Sequence, residues 1–328
     1  MLTHLFIQIP CLNEEQNLPS VINSLPKTLE GINRISVLVI DDGSTDDTYK
    51  VAKQLGIKHI IQFPRNRGLS AAFQAGLEYS LAHGATHIVN TDADNQYPSD
   101  QIGLLLEKMF QASADVVIGD RNPGNIKEFN PLKRLLQVLG SRITSSLCGV
   151  KILDATSGFR AYTAEAASAI HITNPYTYTL ESLVQLSFMR FSIEHVLVTK
   201  NPSTRPSRLF KSTTQYMRKN GLVLLKSYIH FAPMKFFGML SGILFLWGLT
   251  CFTPFIVDFL QGHSQGHLQS LIAGTLLVIA ALQLLSVAFL GDSLRANRLI
   301  TQRLLQEEKI IRFGLKPNPD NDERNAQD

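Results

Sequence analysis

Short apolar runs alternate with amphipathic stretches along most of the chain, and two long uncharged runs follow them. Residues 5–10, 35–40, 58–63, 87–90, 115–119 and 193–198 are rich in β-branched and other apolar residues and read as strands. Residues 14–29, 46–55, 69–83, 131–149 and 179–191 carry helical periodicity. Strands that alternate with helices predict an α/β domain whose sheet is covered by helices. In such a sheet the ligand crevice lies beyond the C-terminal ends of the strands, so polar residues directly after the apolar runs are the first functional candidates.

The two uncharged runs change the picture. Residues 236–257 and 268–291 are about 22 and about 24 residues long, enough at 1.5 Å per residue to cross a hydrocarbon core of about 30 Å. They read as two membrane spans, with Pro254 placed to kink the first. The connector 258–267 has no Lys or Arg. By contrast Arg205, Arg208, Lys211, Arg218, Lys219, Lys226 and Lys235 precede the first span, and Arg295, Arg298 and Arg303 follow the second. The positive-inside rule puts both flanks in the cytoplasm, and so the catalytic domain of a multi-pass membrane protein, in the plasma membrane if the cell is bacterial. Between Lys211 and Met234, cations mix with Tyr216, Leu222, Leu225 and Phe231, which suits an amphipathic segment on anionic membrane lipid. The expected division is 1–210 for the α/β domain, 211–235 for the juxtamembrane segment, 236–291 for the spans and 292–328 for a cytoplasmic tail with a disordered end.

Composition narrows the classes. With 328 residues and 45% hydrophobic content the chain is too apolar to be disordered. A net charge of +4 is mild, and the basic residues gather beside the spans instead of in an aromatic-studded groove, so nucleic acid is not an expected partner. Three scattered cysteines, Cys11, Cys148 and Cys251, support neither a disulfide framework nor a zinc site. The run before Pro10 lacks a basic leader and reads as a strand and not as a signal peptide.

Acidic residues stand at the expected strand ends. Asp41-Asp42-Gly43-Ser44-Thr45-Asp46-Asp47 follows the second run. Part of it reads as a helix cap, but two adjacent carboxylates at a strand exit can also accept hydrogen bonds from a nucleobase or ribose. In Asp92-Ala93-Asp94 the carboxylates alternate, so in extended backbone they point the same way and can share a divalent cation. Oxygen ligands bridging to a diphosphate favour Mg²⁺ or Mn²⁺. An isolated Asp-x-Asp triplet is more often a turn.

Four motifs agree in order and spacing. Pro10-Cys11-Leu12-Asn13-Glu14, Asp41 to Asp47, Asn66-Arg67-Gly68 and Asp92-Ala93-Asp94-Asn95-Gln96 together resemble glycosyltransferase family 2, and within it the dolichol-phosphate mannose synthase and polyprenyl-phosphate glycosyltransferase branch. The resemblance implies a GT-A fold, a Rossmann-like mixed sheet with one nucleotide-sugar site, followed by two transmembrane helices. It implies that Pro10, Leu12, Glu14, Ile40, Asp42, Asp92 and Ala93 surround the nucleotide, and that Asp92, Asp94 and Gln96 hold the metal. Leu12 stands where the family often has an aromatic residue. Asp154-Ala155-Thr156-Ser157-Gly158-Phe159-Arg160 resembles the segment that lines the active site in this branch, which makes Asp154 and Arg160 catalytic candidates. Arg121 matches a basic residue that reaches the donor diphosphate, and Arg205 and Arg208 match an arginine-rich loop. Glu181 falls where other branches place a catalytic carboxylate. As bland alternatives, Arg160 is a surface cation, Asp154 a helix-end residue and Glu181 an exposed helix residue or an arginine's partner.

The expected reaction is transfer of a sugar from a nucleotide-sugar donor to a polyprenyl phosphate, undecaprenyl or dolichyl, by metal-assisted displacement with inversion. Two rivals remain open. One is an enzyme of the same fold acting on a neutral lipid or a protein, which needs a general base. The other is an inactive membrane scaffold that binds nucleotide sugar. The spans also have faces on which copies of the chain can pair as a homo-oligomer.

Overall fold

The computed structural model describes residues 2–94, 96–121, 140–146, 148–172, 178–199, 201, 222, 225–226, 228–262 and 267–315. They fall into two compact units: Met1–Asn220 with Gln302–Asp328, and Gly221–Thr301.

The first unit is built on a seven-stranded mixed sheet in the order β3-β2-β1-β4-β6-β5-β7. Its strands are β1 (His4–Cys11), β2 (Arg34–Asp41), β3 (His59–Gln62), β4 (His87–Asn90), β5 (Val116–Asp120), β6 (Arg160–Thr163) and β7 (Ile193–Leu197). The helices are α1 (Leu18–Ser24), α2 (Thr48–Gln54), α3 (Leu69–Ala82), α4 (Ile102–Gln111), α5 (Ala164–Ala169) and α6 (Thr179–Phe188). All eight residues of β1 are buried, as expected for a central strand with helices on both faces. Its fully buried Leu5, Ile7 and Ile9 contribute about 1.5–3 kcal/mol each. In α4 the buried residues Ile102, Leu105, Leu106 and Met109 repeat at three and four, and so place one stripe on the sheet.

Six expected strands match within one or two residues at each end. The expected helix at 14–29 is only Leu18–Ser24, because Glu14 to Asn17 form a turn in which the Leu18 amide donates to the Glu14 carbonyl at 2.9 Å. Most of the expected helix at 131–149 lies outside the described residues, although 140–146 is helical. Three elements were absent from the pattern reading: α4, α5 and β6. Strand β6 matters most, because it runs antiparallel to both β4 and β5. It therefore starts where its neighbours end, with Arg160 opposite Asn90. The segment that leads into β6 thus reaches the same sheet edge as the loops that leave β1, β2, β4 and β5.

The second unit contains α7 (Pro233–Leu260), which is continuous through Pro254, and most of α8 (Leu268–Phe313). Both helices are long and apolar enough to cross a membrane. They meet through small residues. A Cβ on Gly248 would lie 3.1 Å from the Gly274 carbonyl, and the Ser241 hydroxyl donates to the Ala281 carbonyl at 2.7 Å. Helix α8 runs unbroken past residue 291, where a separate tail was expected, and from Gln302 its residues group with the first unit. There Lys309 Nζ donates to the Ile170 carbonyl at 2.9 Å and caps the end of α5.

Candidate active site

The loops after β1 and β2 are sewn together by hydrogen bonds. The Asn13 amide donates to Ser44 Oγ at 2.9 Å, Thr45 N donates to Asn13 Oδ1 at 2.8 Å, and Glu14 N donates to Thr48 Oγ1 at 2.8 Å. Asn13 adopts φ 55°, a left-handed conformation that asparagine tolerates better than most residues. Both carboxylates of the Asp41-Asp42 pair are engaged in building this edge. Asp41 accepts from Ser44 N at 2.9 Å and from Gln62 Nε2 at 3.3 Å. Asp42 accepts from Arg67 N at 2.7 Å and Gly68 N at 2.9 Å, which draws the Asn66-Arg67-Gly68 segment onto the site. Burial raises the Asp42 pKa, and those two amides oppose it. Gly43, at φ +70°, has no alternative: a Cβ would sit 2.4 Å from the Arg65 carbonyl carbon.

These positions refine the nucleotide reading. Pro10 and Ile40 pair across β1 and β2 and are buried. Glu14 is buried and accepts from Asn17 Nδ2 at 2.8 Å, whereas Leu12 is half-buried at the rim. Asp42, expected to touch the nucleotide, is first of all the anchor of the 66–68 loop.

Beyond β4 stand Asp92 and Asp94, with Ala93 buried between them. Burial, then the neighbouring Asp94, pushes the Asp92 pKa up to about 7, while Arg121 pulls it down. Among the described residues Asp92 accepts no hydrogen bond. A desolvated carboxylate beside a second one, with no donor of its own, is a donor set that a divalent oxygen-seeking cation fits. Gln96 is engaged with Asp94: its backbone amide donates to Asp94 Oδ1 at 3.2 Å and its side-chain amide donates to Asp94 Oδ2.

On the far side of the site the acid is saturated. Arg121, directly after β5, donates from Nε to Asp154 Oδ2 at 2.7 Å and from Nη2 to Asp154 Oδ1 at 3.0 Å. The same Nη2 reaches Thr156 Oγ1 at 2.8 Å, and the guanidinium lies 5.9 Å from the centroid of the Tyr97 ring. Burial alone would raise the Asp154 pKa, but Arg121 and Thr156 together hold it below the usual carboxylate value. Arg121 Nη1 makes no hydrogen bond among the described residues.

Two bland readings are corrected. Arg160 is not a surface cation: it is fully buried and donates to the Ala155 and Thr179 carbonyls and to Ser182 Oγ. Glu181 is buried in the first turn of α6 and accepts from Gln185 Nε2 at 3.4 Å, so it is not an exposed helix residue. Arg205 and Arg208 lie outside the described residues. The site also uses Asn90, Tyr97 and Tyr178, which the sequence reading passed over. The available signal was Asn90, a polar residue that closes β4 after Ile88 and Val89.

The glycosyl transferase family 2 profile matches residues 6–170. The polyprenol monophosphomannose synthase of Mycolicibacterium smegmatis is 33% identical over 172 residues, 50% of this chain and 63% of that protein. The UDP-N-acetylglucosamine-dolichyl-phosphate N-acetylglucosaminyltransferase of Methanococcus voltae is 31% identical over 189 residues, 51% of this chain and 72% of that protein. In fold, the first unit is similar to glucosyl-3-phosphoglycerate synthase from Mycobacterium tuberculosis, solved with Mn²⁺, UDP and glucosyl-3-phosphoglycerate. The TM-score is 0.51 at 21% identity, covering 69% of this chain and 79% of that one. The profile takes in the sewn loops, the acidic pair, Arg121 and the Asp154 segment, and the chain belongs to glycosyl transferase family 2 as a glycosyltransferase of GT-A fold.

Proposed function

We propose that the chain transfers a sugar from a nucleotide-sugar donor to a polyprenyl phosphate, with inversion, at the cytoplasmic face of a membrane. One observation carries the choice of acceptor: Asp154 is anionic and has both oxygens bound by Arg121, with Thr156 donating to one of them. A carboxylate held in this way is a poor general base, because its lone pairs are occupied and its pKa is low. A neutral hydroxyl acceptor needs such a base. A phosphate acceptor is already ionised and needs placement instead.

The acidic pair supports the donor half of the reading. Asp92 and Asp94 would hold Mg²⁺ or Mn²⁺, which when bound neutralises charge on the donor diphosphate. Gln96 fixes Asp94. Arg121 Nη1, which makes no hydrogen bond among the described residues, would donate to the same diphosphate, and Asp154 sets its plane. An oxygen of the acceptor phosphate attacks the anomeric carbon as the bond from that carbon to the diphosphate breaks, and the nucleoside diphosphate departs. Arg205 and Arg208 are assigned to the acceptor phosphate on sequence grounds. The two relatives from Mycolicibacterium smegmatis and Methanococcus voltae, whose names carry polyprenol or dolichyl phosphate, favour the same acceptor class. The cytoplasmic orientation rests on the cations that flank both apolar helices.

The test is a radiolabelled donor panel with the full chain in membranes, a short polyprenyl phosphate, and diacylglycerol as the competing acceptor. Label should pass into the organic phase with polyprenyl phosphate, in a product of inverted anomeric configuration. Transfer to diacylglycerol alone would refute the acceptor, and a retained configuration would refute the single displacement.

A further inference from the structure

Arg160 and Asn90 are a cross-strand pair. One opens β6, the other closes β4, and the antiparallel register sets them opposite each other. Both are fully buried. Arg160 Nη1 donates to the Thr179 carbonyl at 2.8 Å and to Ser182 Oγ at 3.1 Å, and Nη2 donates to the Ala155 carbonyl at 3.0 Å. Asn90 Nδ2 donates to the Gly158 carbonyl at 2.8 Å and to the Tyr178 hydroxyl at 2.9 Å, while Oδ1 accepts from Gln8 Nε2 at 3.0 Å. Two adjacent side chains therefore grip the same two segments: the 154–158 loop and the start of α6.

What those segments carry gives the grip its consequence. Ala155 follows Asp154, the partner of Arg121. Gly158 lies against the acidic pair, since a Cβ on it would be 3.3 Å from Asp92 Oδ1 and 2.7 Å from the Tyr178 hydroxyl. Tyr178 is itself fixed by stacking on Phe73, with ring centroids 3.9 Å apart at 11°. A guanidinium buried with no carboxylate partner among the described residues carries a desolvation cost that an aliphatic side chain would avoid. What the guanidinium adds is a rigid planar fork that reaches two backbone carbonyls at once.

We propose that Arg160 and Asn90 form a positioning clamp beneath the site, which sets the 154–158 loop against α6 and so places Asp154 with Arg121, and Gly158 behind Asp92. Arg160 touches neither donor nor acceptor. This assignment rests on the proposed reaction for its readout, yet it separates from it: the clamp can be measured with whichever acceptor the wild type uses.

The experiment is steady-state kinetics of the full chain in detergent or nanodiscs for wild type, Arg160→Lys and Asn90→Ala, with thermal unfolding of each. Lysine keeps the charge and loses the fork. It should lower kcat on the order of 10²-fold, with KM for donor and acceptor unchanged within about twofold. Asn90→Ala should lower kcat in the same pattern by about tenfold. A tenfold rise in acceptor KM with kcat intact would place Arg160 on the acceptor phosphate and overturn the clamp. So would wild-type kcat in Arg160→Lys. If the lysine variant does not fold, Asn90→Ala decides: wild-type kcat there rejects the clamp, and a kcat loss at constant KM supports it. Failure of the wild type on polyprenyl phosphate would instead strike the proposed function.

Discussion

The two acidic regions that face each other across the site are opposites in electrostatic state. Asp92 and Asp94 repel each other, and Asp92 accepts no hydrogen bond among the described residues and is pushed up to about 7. Asp154 is more deeply buried, yet a guanidinium holds both of its oxygens and its pKa falls. Burial acts in the same direction on both, so the neighbours decide the outcome. One region is short of positive charge and suited to receive a cation with the donor. The other brings its own cation, and its carboxylate serves to aim that cation.

The largest effect should follow from removing the open pair. Asp94→Ala should lower turnover by about 10³-fold while leaving the unfolding midpoint within a few degrees of wild type, because the lost carboxylate was repelling its neighbour. Kinetics and thermal unfolding on the same preparation check both halves. Near-normal turnover would remove Asp94 from the metal reading. In the closed region, Asp154→Asn should cost less, on the order of 10²-fold in kcat, since the amide keeps one oxygen for Arg121 but loses the second acceptor and the charge. It should also lower stability, unlike Asp94→Ala, because a buried guanidinium is left without its counter-charge. If Asp154 were a general base, activity of the asparagine variant would instead recover with increasing pH.

Gly158 joins the two regions and gives a smaller effect. Gly158→Ala would press a methyl group on the Tyr178 hydroxyl and on Asp92, and should cost roughly tenfold in kcat with an increased demand for Mn²⁺. A titration of activity against Mn²⁺ checks it; an unchanged half-saturation would detach the loop from the metal site.

The edge formed by the loops after β1, β2 and β4 was far more legible than the side formed by residues 154–160, and the reason is physical. Loops after β1, β2 and β4 leave parallel strands at their C-terminal ends, so a period and a polar residue locate them without knowledge of the fold. Asp42, Asp92 and Asp94 were found in this way. Strand β6 offers only Arg160-Ala161-Tyr162-Thr163, four residues that begin with a charge, and nothing local says that they pair antiparallel between β4 and β5. Without β6 the burial of Arg160 is invisible, and an arginine in that motif reads as a catalytic candidate or a surface cation. The burial of Glu181 was illegible for the same reason: every residue of α6 from Thr179 to Gln185 is buried, which depends on what packs around the helix and not on its own period. The apolar runs of the last two helices were legible, since length and hydropathy are read directly, but the continuation of α8 to Phe313 was not.

The finest distinction between the two acidic regions is the sign of their pH dependence. Asp92 has a native pKa of about 7 against an ordinary 3.8, so between those values the native state holds a proton that the unfolded state has released. Stability from this group therefore falls as pH rises through that window, and Asp92→Asn should gain on the wild type over the same interval. For Asp154 the native pKa lies below 3.8, so its contribution is present above 3.8 and is lost as pH falls toward the native value. Asp154→Asn should thus be most destabilised near neutrality and converge on the wild type in acid. Denaturant unfolding of metal-free full chain at intervals from about pH 3 to 8, for wild type and both asparagine variants, reads the two slopes. Added Mn²⁺ should reduce the Asp92→Asn advantage and leave the Asp154→Asn difference in place, because only the first region has no cationic hydrogen-bond partner among the described residues. Slopes of the same sign would mean that burial, and not the neighbouring charge, governs both carboxylates.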